Sequence, residues 1–373
     1  MEDSDDLAPP KPPVTDQDRL DWLRLIRSRR VGPTSFRRLL AEFGSPREAL
    51  THLPEVARAA GVKDYEPHSI AATEDEYRAG RKLGFAPLFL GAEDYPKMLA
   101  ETVDAPPFLW AKGDRTLTAK PAIALVGARN ASSIGLRTAR LFARELGEAG
   151  VVVVSGLARG IDAAAHDAAL PTGTIAVQAG GLDIPYPKEN EALFEEIGKT
   201  GLRLSEQPIG LIPQARHFPQ RNRIIAGAAL GLVVIEGAAR SGSLITARNA
   251  SDLGREVMAV PGNPLDGRAG GCNILIRDGA TLVRSAADIL EAVEHLLDRP
   301  APVAATPEPA QPELPPDQVS RRIIALLGPA PTSEDALIRD CGLPAQSVSK
   351  QLVALELDGK ITRYPGGTLA LAS

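Results

Sequence analysis

The stretch Ile123-Ala124-Leu125-Val126-Gly127-Ala128-Arg129 decides the fold. Its first four residues are aliphatic with no polar alternation, the pattern of a strand buried on both faces of a parallel sheet, and Gly127 ends the run just before a cation. Similar short runs dominated by aliphatic residues recur at 151–154, 174–178, 202–204, 232–235 and 257–260. Gly156, Gly180-Gly181, Gly237 and Pro261-Gly262 follow most of them. The helical stretches between runs supply the right-handed crossovers that parallel strands need. An α/β domain with a Rossmann-like, doubly wound, mainly parallel sheet is expected over 81–298. Its ligand belongs in the crevice beyond the strands' carboxyl ends, where glycines admit close approach to the backbone.

Upstream, residues 16–80 read as helical. Leu20, Leu23 and Ile26 form one apolar stripe and Phe36, Leu39, Leu40 and Phe43 another, with Val31-Gly32-Pro33 between the helices and Gly44-Ser45-Pro46 ending the second. From Arg19 to Arg47 there are eight arginines against Asp21 and Glu42. A helix-hairpin-helix or SAM-like module touching a nucleic-acid backbone would carry such charge, and so would a solvated helical face; only Gly32 stands for the usual Gly-x-Gly hairpin. Residues 1–15 hold four prolines among acids and read as a disordered tail. Residues 299–316, with seven prolines in eighteen positions, read as an extended linker. Residues 317–373 look like a winged helix, with Pro344 opening a helix and Tyr364-Pro365-Gly366-Gly367 turning a terminal hairpin. That block is neutral, six basic against six acidic residues, and its recognition helix offers Lys350 alone, so a protein-contact or weak DNA-binding role is expected.

The chain of 373 residues is 44% hydrophobic and carries a net charge of −5. It contains no apolar run long enough for a membrane span, and the acidic start Met1-Glu2-Asp3-Ser4-Asp5-Asp6 is unlike a secretory signal, so a cytoplasmic protein without membrane contact is expected. Cys272 and Cys341 stand far apart and outside any Cys-x-x-Cys pair, which argues against a disulfide or a structural zinc; no cofactor is expected.

Against this acidic background, residues 207–235 contain Arg216, Arg221 and Arg223 and no Asp or Glu. Within them, Phe218-Pro219-Gln220-Arg221-Asn222-Arg223 gathers an aromatic ring, amides and guanidinium forks suited to a base and its phosphates. Arg129 follows the first strand, where it can share a phosphate with free N–H groups at a helix start. Arg159, between Gly156 and Gly160, offers a second cation, while Asp162 and His166, four apart on one helix face, are expected to be structural because further metal ligands are missing. Ser241, Gly242, Ser243 and Thr246 open another helix and suggest a second anion site, although capping alone accounts for one or two of the hydroxyls.

Several chemistries fail on spacing. Gly127 to Gly135 does not give Gly-x-G-x-x-Gly, which excludes a nicotinamide fingerprint, and no Gly-x-x-x-x-Gly-Lys-Ser/Thr loop or Gly-x-Ser-x-Gly elbow exists. A nucleotide-processing enzyme of the phosphoribohydrolase type is the alternative reading, but Thr246 stands where its catalytic Glu would fall.

Taken together, Val126-Gly127-Ala128-Arg129, the 155–162 loop, Gly180-Gly181-Leu182-Asp183 with Tyr186-Pro187, residues 218–225, 241–247 and Val260-Pro261-Gly262 resemble, in order, the DNA-processing protein A family, DprA or Smf. The resemblance covers about 90–297. It implies a non-enzymatic homodimer that binds single-stranded DNA and loads RecA recombinase in natural transformation and DNA repair. It also implies a DNA-binding arginine at Arg129, a pocket lysine at Lys188, and an aromatic and basic cluster at Phe218, Arg221, Asn222 and Arg223. Ile134 before Gly135 and Gln220 depart from the family pattern.

Overall fold

The computed structural model of the protein describes residues 10–297, 315–327, 332–343, 348, 351–352, 354–356, 358, 360–364 and 368–371. The chain divides into two compact units, Met1–Asp298 and Arg299–Ser373. The greater part of the expected tail and linker, 1–9 and 298–314, lies outside the described residues, as do Pro344, Lys350 and the hairpin turn 365–367.

The first unit opens with four helices, α1 (Asp16–Arg27), α2 (Pro33–Phe43), α3 (Pro46–Ala59) and α4 (Ile70–Lys82). Thr15 and Asp18 cap α1 reciprocally, each side chain accepting from the other's backbone N–H. Pro33 opens α2, and Gly44 closes it at φ +77°, a left-handed conformation that glycine adopts without strain. The buried side of α1 centres on Trp22, Leu23 and Leu25, and Leu20 and Ile26 flank it. Trp22 reaches across to the sheet. Its ring lies 4.9 Å from Phe36 and 6.0 Å from Phe89, and its indole N–H donates to the Pro107 carbonyl at 2.8 Å. Helices and sheet thereby share one continuous core.

Most arginines of this region are engaged in packing. Arg27 pairs with Glu76 at 2.7 Å, Arg47 with Asp21 at 3.0 Å, and Arg24 and Arg37 donate to carbonyls. Arg29, Arg30 and Arg38 stay exposed. The basic face expected from composition is therefore narrower than eight arginines suggest.

The sheet has nine strands: β1 (Ala86–Phe89), β2 (Phe108–Gly113), β3 (Ala122–Val126), β4 (Val152–Ser155), β5 (Thr174–Val177), β6 (Leu202–Ser205), β7 (Gly231–Val234), β8 (Glu256–Ala259) and β9 (Thr281–Leu282). Their order is β1-β2-β6-β5-β4-β3-β7-β8-β9, parallel from β6 through β9. The antiparallel β2 and β1 extend one edge. All six expected strands form; β1, β2 and β9 add to them. Five further helices, α5 (Lys97–Ala100), α6 (Ser133–Glu148), α7 (Ile161–Ala169), α8 (Glu191–Thr200) and α9 (His217–Gly227), alternate with strands, and α10 (Gly242–Asp252), α11 (Gly270–Arg277) and α12 (Ala286–Leu297) complete the unit. Side chains alternate across the sheet. Ile123, Leu125, Val153 and Val233 pack with α6, α7 and α12, whereas Ala124, Val126, Val154 and Val234 share a core with α9 and α10.

In the second unit, α13 (Pro316–Leu326), α14 (Glu334–Cys341) and a three-stranded sheet of β10 (Thr332–Ser333), β11 (Ile361–Tyr364) and β12 (Thr368–Leu371) form the winged helix. Val319, Ile323, Leu337, Leu352 and Ile361 make its core.

Candidate nucleic-acid interface

From β3 the chain winds outward through β4, β5 and β6, then returns to β7 on the opposite side and continues to β8 and β9. The loops after β3 and β7 must therefore diverge, and a cleft of about 890 Å³ opens between them. Gly127, Arg129, Phe218, Arg221, Asn222 and the start of α10 line it. A second cleft of about 360 Å³ shares Arg129, Phe218 and Arg221 with the first and adds Arg159 and Lys188.

Close packing shapes the floor. A Cβ on Gly127 would sit 2.6 Å from Ile161 and 2.8 Å from the Glu236 carbonyl. Gly160 precedes α7 at φ +79°, and a Cβ there would fall 2.2 Å from the carbonyl of Ala128 and 2.7 Å from that of Arg129. Both glycines thus act by letting backbones approach, and Gly160 holds the loop that presents Arg129.

One expected anion site is already filled. The Ser132 N–H donates to the Glu236 carboxylate at 2.8 Å, the Ser132 hydroxyl donates to the same carboxylate, and Ser132 itself caps α6 by accepting from the Gly135 N–H. A carboxylate at a helix N-terminus satisfies the donors that a phosphate would otherwise meet. It also explains Gly135, whose Cβ would lie 2.5 Å from Glu236.

Phe218 is the centre of the cleft. The Arg129 guanidinium lies 5.2 Å from its ring centroid, that of Arg221 6.0 Å, and the exposed Tyr186 ring 5.5 Å. Phe218 itself is half-buried, so its ring packs and still lines both clefts. Arg129 is exposed. Tyr186 had a sequence signal in the Tyr186-Pro187 pair, but its neighbour in space lies over thirty positions away in the chain.

Arg221 differs from Arg129. It is only 5% exposed, and its Nη1 donates to the Val177 carbonyl at 2.8 Å past Gly156, where a Cβ would come within 1.7 Å of that nitrogen. Burial lowers its pKa to about 10, with Asp162 opposing the shift, so the guanidinium stays charged at neutral pH. Its Nε is buried with no acceptor among the described residues. Asp162 accepts from the N–H of Gly156 at 3.1 Å and of Ala158 at 3.4 Å; burial raises its pKa, while Arg221 and these donors lower it.

His166 completes the support for this loop. The Leu157 N–H donates to its Nε2 at 3.3 Å, which leaves the proton on Nδ1, facing the Thr174 hydroxyl at 2.7 Å; Thr174 in turn donates to the Val153 carbonyl. Leu157 stands at φ +55°, a conformation that the three N–H bonds of residues 156–158 hold in place. Burial first, then Arg221, lowers the His166 pKa to about 3. The unfolded chain takes up a proton near its ordinary value of about 6.5, which the folded chain resists until about pH 3. The stability due to this group is full above that window and declines as pH falls through it. Urea midpoints measured from neutral to acidic pH are expected to fall more steeply for the wild type than for His166→Gln; parallel curves would refute the linkage.

At α10, Ser241 caps the helix by accepting from the Ser243 N–H at 3.3 Å and lies 2.8 Å from the Ser243 hydroxyl. Thr246 is buried and donates to the Gly242 carbonyl at 3.4 Å. These hydroxyls serve the helix end, leaving exposed Gly242 and the flanking Arg240 and Arg268 facing the cleft. Sequence reasoning missed Arg240 and Arg268. Arg159 lies 3.7 Å from Glu189, both exposed, and Lys188 begins a 3-10 turn beside them. Arg223 is not in the cleft. It pairs with Glu206 and approaches Asp104 at 3.8 Å on the other side of α9.

The fold and site define a Rossmann-like protein with a cationic, aromatic cleft at its topological switch point. Residues 87–294 match the family model for DNA recombination-mediator protein A, 16–79 that for the DprA-like N-terminal HHH domain, and 307–367 that for the DprA winged helix domain. The chain belongs to the DprA/Smf family. It is 48% identical over 202 residues to DNA processing protein DprA of Streptococcus pneumoniae, covering 54% of this chain and 71% of that protein. To Protein Smf of Escherichia coli it is 39% identical over 287 residues, 75% of this chain and 76% of the other. Among solved structures, DNA processing protein A from Streptococcus pneumoniae aligns with a TM-score of 0.61 at 37% identity, covering 75% of this chain and 98% of that one. The Helicobacter pylori protein, whose structure gave insights into a unique single-stranded DNA binding mode, aligns with a TM-score of 0.52 at 29% identity, covering 57% of this chain and 96% of that one. No helix among the described residues is long and apolar enough to cross a membrane.

Proposed function

We propose that the protein is a cytoplasmic recombination mediator that binds single-stranded DNA in the switch-point cleft and, as a homodimer, loads RecA onto it in natural transformation and DNA repair. The observation that carries this reading is the Phe218 ring beside exposed Arg129, with buried, charged Arg221 behind it. A flat ring accepts any base by stacking, and the two cations draw the phosphates without reading sequence. Family membership supports the mediator role.

The reading is of a binder without catalysis. Among the described residues Asp162 is the only carboxylate lining the main cleft, and backbone N–H groups occupy it. Incubation with a panel of nucleoside monophosphates is expected to release no free base, and release would favour the nucleotide-processing alternative. Phe218→Ala is expected to weaken binding of a single-stranded oligonucleotide by ~1–3 kcal/mol while its salt dependence stays near that of the wild type, because stacking carries no ion release. Fluorescence anisotropy at two salt concentrations measures both. Unaltered affinity would remove Phe218 from the site.

A further inference from the structure

The main cleft does not end at Arg129. A groove of about 450 Å³ begins at Arg129 and Asn130 and runs between α6 and α7, with Arg140 on one wall and Ala163, Ala164 and Asp167 on the other. On α6, Arg137, Arg140 and Arg144 follow one another at spacings of three and four, so they fall in one stripe of the helix surface. All three are exposed.

Some arginines on or beside other helices pair with a carboxylate three or four positions away, as in Arg19 with Asp16, Arg78 with Asp75 and Arg284 with Asp288. Arg137, Arg140 and Arg144 make no ion pair among the described residues, although Glu148 stands four positions beyond Arg144. Arg140 and Arg144 are like charges one turn apart, which disfavours the helix. None of the three lies in the last turn of α6, where the helix dipole would welcome a cation. With no carboxylate partner among the described residues, the three guanidiniums are open to an external anion, and Arg140 lines the groove that begins at Arg129.

We infer that a bound single strand leaves the cleft over Arg129 and continues along the α6–α7 groove, its phosphates on Arg137, Arg140 and Arg144. The inference rests on the cleft being the single-strand site. The stripe extends roughly 10 Å along the helix, from seven residues at about 1.5 Å each, enough for about two successive phosphates of an extended strand. The two walls differ in chemistry: α6 supplies Leu136 and Arg140, with Arg137 and Arg144 exposed on the same helix, and α7 supplies small side chains with Asp167 as an acceptor for base amino groups. A strand would lie with its backbone toward α6.

Binding measured against strand length tests this on the full-length protein. An oligothymidylate of about 5 nucleotides fills the cleft alone, and one of about 20 also reaches the groove. The triple variant Arg137→Ser, Arg140→Ser, Arg144→Ser is expected to bind the short strand as the wild type does. It should lose on the order of tenfold for the long one, with a salt slope lower by about 1.4, and the corresponding triple lysine variant should restore both. Equal losses at both lengths would overturn the track in favour of a diffuse field effect, and no loss at either length would overturn it outright. Arg129→Ala separates the two levels of the account: weakened binding at both lengths keeps the cleft in place whatever the stripe does, whereas unchanged binding refutes the cleft and the track together.

Discussion

Arg129→Ala lowers the affinity for single-stranded DNA by on the order of tenfold to a hundredfold at moderate salt, the worth of one charge-assisted phosphate contact of about 1.5–3 kcal/mol. The slope of log affinity against log salt falls by about 0.7, the share of one phosphate on a single strand. The effect is large because of where this residue stands. Arg129 is exposed, its guanidinium lies 5.2 Å from the Phe218 ring, and it belongs to both clefts. Arg223→Ala serves as the contrast: its loss removes the pairing with Glu206 and lowers stability, with the salt slope unchanged. An anisotropy titration in which Arg223→Ala and Arg129→Ala lower the salt slope alike would be incompatible with this placement.

Gly160→Ala carries the second large effect, through the backbone. At φ +79° an alanine is strained, and its methyl carbon would meet two carbonyl oxygens, those of Ala128 at 2.2 Å and Arg129 at 2.7 Å. Neither is a flexible side chain that can swing away, so the loop carrying Arg129 must move. The expected loss is roughly 3 kcal/mol or more of folding stability, together with weaker DNA binding by whatever protein stays folded. Urea denaturation and titration of the same preparation check both; a midpoint within experimental error of the wild type would show that the loop is free to yield.

The parallel sheet was legible because strands buried on both faces read as unbroken aliphatic runs, as in residues 151–154 and 232–235. The edge pair was not: Pro87 interrupts β1, and Phe108–Gly113 ends in Lys112-Gly113, so neither resembles a central strand. The helical block read as a domain of its own, and Trp22 and Glu76 tie it to Pro107, just ahead of β2, and to Trp110 within β2, through contacts remote in sequence.

The site shows the same division. The run of residues 218–223 promised three cationic or aromatic groups in one place, but residues two apart on a helix face different ways. Arg221 therefore turns under the cleft and Arg223 turns away to Glu206. The filled N-terminus of α6 was equally unreadable, because Glu236 arrives from a strand end over a hundred residues later. What sequence did carry was the loop chemistry beyond the strands, where Gly127 and Gly160 mark close backbone approach, Gly156 leaves room for the Arg221 guanidinium and Arg129 marks charge.

Photocrosslinking tests the central claim most directly. A single-stranded oligonucleotide bearing 5-iodouracil is bound to the full-length protein, irradiated, and the attached peptide mapped by mass spectrometry. If bases stack in the switch-point cleft, the crosslinks fall on Phe218 or Tyr186 and disappear when unlabelled strand competes. Crosslinks confined to residues 16–79 or to the winged-helix unit, with none on the cleft aromatics, would contradict the account.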